Sequence, residues 1–200
     1  MSRPFAESCE QNREPILSVL REWLPGRSRL LEIGSGTGQH AVYFAPDFPT
    51  LSWQTSERPE HLAGIRAWLD EFGLSNTPAP LELDVLEGVW PVAGFDAVFS
   101  ANTAHIMYEP AVTAMFRGVG KSLLPGGVFL LYGPFNYNGN YSSESNARFD
   151  AWLRNGDPGR GIRDFEWLDG LARENGMQLA ADIEMPVNNR TLVWAKSSRG

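Results

Sequence analysis

The chain has 200 residues, of which 42% are hydrophobic and 20% charged, so its composition predicts a single globular domain. Its net charge of −7 disfavours binding to DNA or long RNA, because a phosphate backbone is recognised by a basic surface. Cys9 is the single cysteine, no apolar run approaches the roughly 18 residues of a membrane helix, and the N-terminus does not resemble a signal peptide; these features predict a cytoplasmic protein without a membrane span, a disulfide or a cysteine zinc site.

The first half of the chain alternates helical and strand patterns. Apolar residues at helical spacing predict an N-terminal helix over 10–24, with its amphipathic part at 12–24, and Pro25-Gly26 ends it. A strand then enters a glycine-rich turn. The predicted elements that follow are a strand over 29–34, a helix over 39–46, a strand over 50–57 and a helix over 62–72 that ends near Gly73.

The second half continues the alternation and closes with a hairpin. Its predicted elements are strands over 81–85, 96–101 and 127–133, helices over 112–123 and 165–172, and strands over 177–185 and 190–196. Strands that alternate with helices predict an α/β fold, a mostly parallel sheet with helices on both faces. The last two strands are separated by only four residues, which predicts an antiparallel pair.

One segment, residues 134–163, breaks this pattern because it is polar, aromatic and rich in Asn and Gly. It follows the carboxyl end of the fifth predicted strand. Ligands of open α/β sheets bind at that edge. We therefore expect residues 134–163 to form a lid over a substrate site.

The strongest local signal is the sequence Leu30-Leu31-Glu32-Ile33-Gly34-Ser35-Gly36-Thr37-Gly38. Its three alternating glycines allow positive φ and let a ligand approach bare backbone, and the helix that follows offers free N–H groups. The dinucleotide fingerprint G-x-G-x-x-G requires a small residue at its sixth position, where this chain has Gln39. A nicotinamide-dependent oxidoreductase is therefore the less favoured alternative.

The pattern resembles motif I of class I S-adenosylmethionine-dependent methyltransferases, E/D-x-G-x-G-x-G. The resemblance implies that the turn holds the amino-acid part of S-adenosylmethionine. Glu57 ends the second strand about twenty residues later, where an acidic side chain can bind two ribose hydroxyls. The implied cofactor-binding residues are Glu32, Gly34, Ser35, Gly36, Gly38, Glu57, Asp84, Val85 and Asn102, with Asp84 near the adenine amino group.

A second resemblance spans nearly the whole chain. Five segments together look like the DUF938 family, which includes the methyltransferase-like 26 proteins: 12–17, 31–45, 100–106, 132–139 and 143–168. Thr55 and Thr103 depart from the residues expected of relatives. The resemblance implies one methyltransferase domain over 1–200, with a Rossmann-like seven-stranded sheet of order 3-2-1-4-5-7-6 in which strand 7 is antiparallel.

The substrate side is predicted from the strand ends. Asn102 and His105 follow the fourth strand, at the position that lies beside the transferable methyl group in class I enzymes, and are the candidate catalytic residues. His105 could act as a general base. The signature of base N-methylation, [D/N/S]-P-P-[Y/F/W], is replaced here by Asn102-Thr103-Ala104-His105. The candidate substrate residues are Asn136, Tyr137, Asn146 and Arg163.

These observations predict methyl transfer from S-adenosylmethionine to a small molecule or a protein side chain, without a metal ion. We expect Asn102, Asn136, Tyr137 and Asn146 to face one pocket. Two alternatives stay open at this point: a non-catalytic module that binds S-adenosylmethionine or a partner protein, and the nicotinamide-dependent oxidoreductase.

Overall fold

The computed structural model describes residues 3–87, 90 and 94–198. The helices are α1 (Glu7–Trp23), α2 (Gln39–Phe44), α3 (Leu62–Phe72), α4 (Glu109–Ser122), α5 (Glu144–Gly156) and α6 (Phe165–Glu174). The main-sheet strands are β1 (Arg29–Ile33), β2 (Ser52–Glu57), β3 (Leu81–Glu82), β4 (Phe95–Ala101), β5 (Leu123–Gly133), β6 (Met177–Met185) and β7 (Asn189–Lys196). Within these described residues, no helix has the length and apolarity needed to cross a membrane.

The seven strands form one sheet in the order β3-β2-β1-β4-β5-β7-β6. The first five are mutually parallel, and β7 runs antiparallel to both β5 and β6. This confirms the predicted strand order and the antiparallel hairpin. The order places the carboxyl ends of β1 and β4 side by side at the centre of the sheet, which is the switch point where ligands of such sheets bind.

Each face of the sheet carries its own hydrophobic core. On one face, Leu30 and Phe99 pack beneath α1, α2 and α3. On the other, Leu31 and Phe129 pack beneath α4 and α6. Neighbouring residues Leu30 and Leu31 serve opposite faces because side chains alternate along a strand. Both faces are therefore covered, as the near-continuous apolar runs of β1 and β5 require.

Several element bounds differ from the sequence prediction. Helix α1 begins at Glu7 rather than residue 10, in a stretch without apolar periodicity. The third strand keeps only Leu81–Glu82, so Asp84 lies in a turn. Strand β5 begins at Leu123 because that residue pairs with Phe95 before the register shifts.

The largest difference lies in residues 134–163. The segment contains helix α5, which begins after Ser143, whose side-chain oxygen accepts the backbone N–H of Asn146. A short parallel pair of strands, Phe135–Asn136 and Arg163–Asp164, joins the two ends of the segment. The Ser143 cap is a helix-start signal that the sequence carries. The segment is thus a folded excursion that leaves the sheet at Gly133 and returns at α6.

Candidate functional site

The glycine turn after β1 is built for a backbone that approaches its neighbours closely. Gly34, Gly36 and Gly38 have φ values of +70°, +57° and +91°, which favour glycine. A Cβ on Gly34 would lie 2.5 Å from Thr103 Cγ2, whereas a Cβ on Gly36 would meet no atom within 4 Å. Gly34 therefore packs against the loop after β4, and Gly36 presents bare backbone to open space.

The carboxyl group of Glu32 lies buried beneath this turn, with 2% of the residue exposed. Trp53 Nε1 donates a hydrogen bond to Glu32 Oε2 over 2.9 Å. Burial raises the pKa of Glu32 to about 7, and the Trp53 hydrogen bond opposes that rise. A buried carboxyl group whose pKa is raised toward neutrality is typical of functional sites.

Two further acidic residues follow the neighbouring strands. Glu57 ends β2, where its Oε2 accepts the N–H of Gly36 over 3.2 Å and its Oε1 accepts the N–H of Arg58 over 2.8 Å. Asp84 follows β3, where its Oδ1 accepts the N–H of Leu86 over 2.9 Å. Glu57 thus contacts the glycine turn directly. Asp84 holds its own turn, beside the buried Val85.

Helix α1 packs against the same turn, a contact that sequence reasoning did not predict. The N–H of Ala6 donates to Gln39 Oε1 over 2.6 Å, and Gln39 Nε2 donates to Glu10 Oε1 over 3.0 Å. One residue on, His40 Nε2 bonds with Asn12 Oδ1 over 2.8 Å. Gln39, which breaks the dinucleotide fingerprint, is the residue that joins α1 to the turn. The departure from the fingerprint at Gln39 was the signal in the sequence that could have indicated this contact.

The loop after β4 carries the candidate catalytic residues. Asn102 has a φ of +57°, and its N–H donates to the carbonyl of Tyr132 over 2.9 Å. His105 is buried with its ring edge-on to Phe149, at a centroid distance of 5.3 Å. Burial, with a smaller contribution from the nearby Arg163 charge, lowers the pKa of His105 to about 4. The imidazole is therefore neutral at pH 7 and accepts a proton only weakly.

Residues 134–163 are bonded to that loop by backbone carbonyls. Arg163 Nε donates to the carbonyl of Ala104 over 3.2 Å, and its Nη2 donates to the carbonyls of Met107 and Gly159 over 2.5 and 2.8 Å. The N–H of Gly161 donates to the carbonyl of His105 over 2.9 Å. The segment therefore covers the loop that holds Asn102 and His105.

The candidate substrate residues divide into two groups. Asn136 and Arg163 line one cavity of about 340 Å³ and lie in the two strands of the short parallel pair, where Asn136 is paired with Asp164 and Arg163 with Phe135. The hydroxyl of Tyr137 instead donates to Asp182 Oδ2 over 2.8 Å, and Asn146 Nδ2 donates to the carbonyl of Asn188 over 3.0 Å. Tyr137 and Asn146 thus tie the segment to the β6–β7 hairpin. Their contact with a substrate stays a prediction, as does that of Asn136 and Arg163.

A match to a protein-family model identifies the family of this protein. The model described as "Protein of unknown function (DUF938)" matches residues 3–196, nearly the full chain. The chain belongs to the DUF938 family. The resemblance predicted from the sequence is thereby confirmed.

Solved structures resemble the DUF938 chain in fold. An O-methyltransferase family 2 protein from Planctomyces limnophilus, in complex with apigenin, superposes with a TM-score of 0.82 at 17% identity, covering 94% of this chain and 57% of its own. The S-adenosylmethionine-dependent methyltransferase SibL gives 0.80 at 20% identity, covering 95% and 56%. PigF with SAH gives 0.80 at 19% identity, covering 94% and 56%. The DUF938 chain spans little more than half the length of each, and its fold is the Rossmann-like class I methyltransferase fold.

Proposed function

We propose that this DUF938 chain binds S-adenosylmethionine and transfers its methyl group to a small molecule or a protein side chain. The observation that carries the proposal is the turn at Gly36, where positive φ, open space and a neighbouring carboxylate on Glu57 coincide. Bare backbone beside an acid is the environment that an amino-acid group and a ribose require together. The residues of the turn fit the cofactor on these grounds.

The residues that would hold the cofactor are identified by their positions at the strand ends. The turn from Gly34 to Gly38, with buried Glu32 beneath it, would hold the amino-acid part. Glu57 would exchange its bond with the Gly36 N–H for the ribose hydroxyls, and Asp84 would face the base. S-adenosylmethionine supplies, when bound, a methyl group already activated on sulfur.

The protein's part in such a reaction is to position the acceptor and exclude water. Residues 134–163 are suited to that part because they fold over the loop of Asn102 and His105 through Arg163. With its pKa lowered to about 4, His105 would act as a hydrogen-bond acceptor for the substrate rather than as a strong base at pH 7. An acceptor that is already nucleophilic needs no stronger base.

Calorimetry with S-adenosylhomocysteine tests the proposal. We expect one molecule per chain with a dissociation constant in about the micromolar range, typical of cofactors. Gly36→Val should abolish binding, because the side chain would strain the backbone and fill the open space. Gly73→Val is the matched control: Gly73 has a φ of +58° and likewise no atom within 4 Å of a Cβ, but it ends α3 away from the turn.

Loss of binding in both variants would indicate general strain, and the absence of heat with the folded wild type would disprove the proposal. Binding without methyl transfer to any acceptor class would instead support the non-catalytic module. Far-UV circular dichroism of each variant establishes that it is folded.

A further inference from the structure

The cavity lined by Asn136 and Arg163 has a wall of mixed chemistry. It lies where the start of α4, the short strand pair and the start of α6 meet. Further residues that line the cavity are Glu109, Asp164 and Trp167. The cavity shares no lining residue with the glycine turn, so it can hold a second ligand in addition to the proposed cofactor.

An unpaired amide lies in this wall. Asn136 has 8% of its surface exposed, and its buried Oδ1 has no hydrogen-bond partner among the described residues. Buried side-chain amides in native folds are nearly always hydrogen-bonded. Since an amide can turn to present either its oxygen or its nitrogen, Asn136 can bond a ligand that enters the cavity.

Asp164 contributes a carboxylate that forgoes its usual local partner. It occupies the N-cap position of α6, yet its side chain makes no capping hydrogen bond. An aspartate at that position normally accepts an N–H from the first helical turn. Asp164 is instead one of the residues that line the cavity.

The two arginines that line the cavity, Arg154 and Arg163, already have anionic or carbonyl partners. Arg154 Nε lies 2.7 Å from Asp150 Oδ2, and Arg163 Nη1 lies 3.5 Å from Glu109 Oε1 while its other nitrogens bond carbonyls. No ion pair to Asp164 occurs within the described part of the chain. Of the two acidic residues that line the cavity, Asp164 is therefore the one outside an ion pair.

An aromatic surface adjoins that charge. Trp167 lies in the first turn of α6 and also lines the cavity, and it is half-buried. The face of an indole ring attracts cations, and the attraction strengthens when the cation is partly desolvated. A carboxylate, an indole ring and an unpaired amide together select a cationic hydrogen-bond donor.

We propose that this cavity binds a small molecule that carries a protonated amine on a flat or apolar body, with the ammonium group between Asp164 and Trp167. A volume of about 340 Å³ accommodates a ligand of one aromatic ring with a short side chain. Binding of an amine to the cavity can be measured without methyl transfer, so it does not depend on the proposed function. That the cavity holds the methyl acceptor does rest on the proposed function.

Three probes of one shape test the charge requirement: tyramine, 4-ethylphenol and 3-(4-hydroxyphenyl)propionate, which are cationic, neutral and anionic at pH 7.5. We expect calorimetry to show tyramine binding about tenfold or more tightly than 4-ethylphenol, as a charge-assisted hydrogen bond predicts, and no binding of the propionate. Asp164→Asn, which keeps a good N-cap residue, should remove the preference for tyramine. Trp167→Leu should weaken tyramine binding more than 4-ethylphenol binding.

Glu174→Gln is the matched control, because it removes the same charge from the exposed far end of α6 and should leave the preference intact. The proposal is overturned if tyramine gives no heat, if Asp164→Asn retains the preference, or if the propionate binds best. Titration of the same preparations with S-adenosylhomocysteine separates the two proposals. Cofactor binding without tyramine binding refutes only the amine site, and tyramine binding without cofactor binding refutes only the proposed function.

Discussion

The buried carboxyl group of Glu32 links the stability of the protein to its proposed site. Its pKa is raised to about 7, so the folded chain favours the protonated form. The unfolded chain releases that proton from about pH 4.5 upward. The free energy of unfolding therefore falls as the pH rises from about 4.5 to 7, because the folded state binds more protons over that range. A buried acid that lowers the stability of the fold at neutral pH is typical of a group retained for binding.

Glu32→Gln should remove that cost, since the amide imitates the protonated acid and can still accept the Trp53 N–H. At pH 8 we expect the variant to be more stable than the wild type by up to about 3 kcal/mol, at roughly 1.4 kcal/mol per pKa unit, with a small difference at pH 5. Urea unfolding at both pH values measures this. Glu82→Gln, at an exposed position in β3, is the control and should show no such pH dependence. An unchanged pH slope in Glu32→Gln would contradict the interpretation.

Among the elements, those of the sheet could be predicted from the sequence because each carries its own signal. The apolar run of β5, the glycine turn and the Gly73 helix end are local patterns, and the strand order follows from the family resemblance. The site is only partly local. Glu57 could be predicted from its spacing after the turn, but the contact of Glu10 in α1 with Gln39 joins residues 29 positions apart, which no local pattern specifies.

The internal structure of residues 134–163 could not be predicted for the same reason. Asp150 lies in the interior of α5 and has 1% of its surface exposed. It accepts the N–H of Ile162 over 2.6 Å, the hydroxyl of Tyr141 over 2.8 Å and Nε of Arg154 over 2.7 Å. A polar sequence here does not mean a solvated loop, because its polar groups satisfy one another across the excursion. Asp150 thus holds both ends of the segment against α5.

Asp150→Ala should loosen this segment while the sheet stays folded. Removing the carboxylate leaves the Ile162 N–H without its acceptor, at a cost of about 1–3 kcal/mol. We expect faster amide hydrogen exchange across 141–162 and unchanged protection in β1 and β4. Asp157→Ala is the control, because Asp157 accepts bonds from Tyr108 in the same region but lies closer to solvent. Equal effects of the two substitutions would argue against Asp150 as the anchor.

At the scale of the whole molecule, the proposed cofactor would lie between two covers, which are helix α1 and residues 134–163. Glu10 of helix α1 reaches the glycine turn through Gln39, and residues 134–163 reach the loop after β4 through Arg163. The two loops meet where Thr103 packs on Gly34. A ligand that fills this junction should therefore order both covers, since each is bonded to a loop that the ligand would contact.

We accordingly expect S-adenosylhomocysteine to slow hydrogen exchange in 7–12 and 134–146 as well as in 34–38. At a concentration of about 100 times its dissociation constant, it should add about 2.7 kcal/mol to the stability and raise Tm by several degrees. NADH should do neither, and Gly36→Val should lose both responses to S-adenosylhomocysteine. Protection confined to 34–38 would show that the covers do not respond to the cofactor, and residues 134–163 would then be a fixed part of the fold rather than a lid.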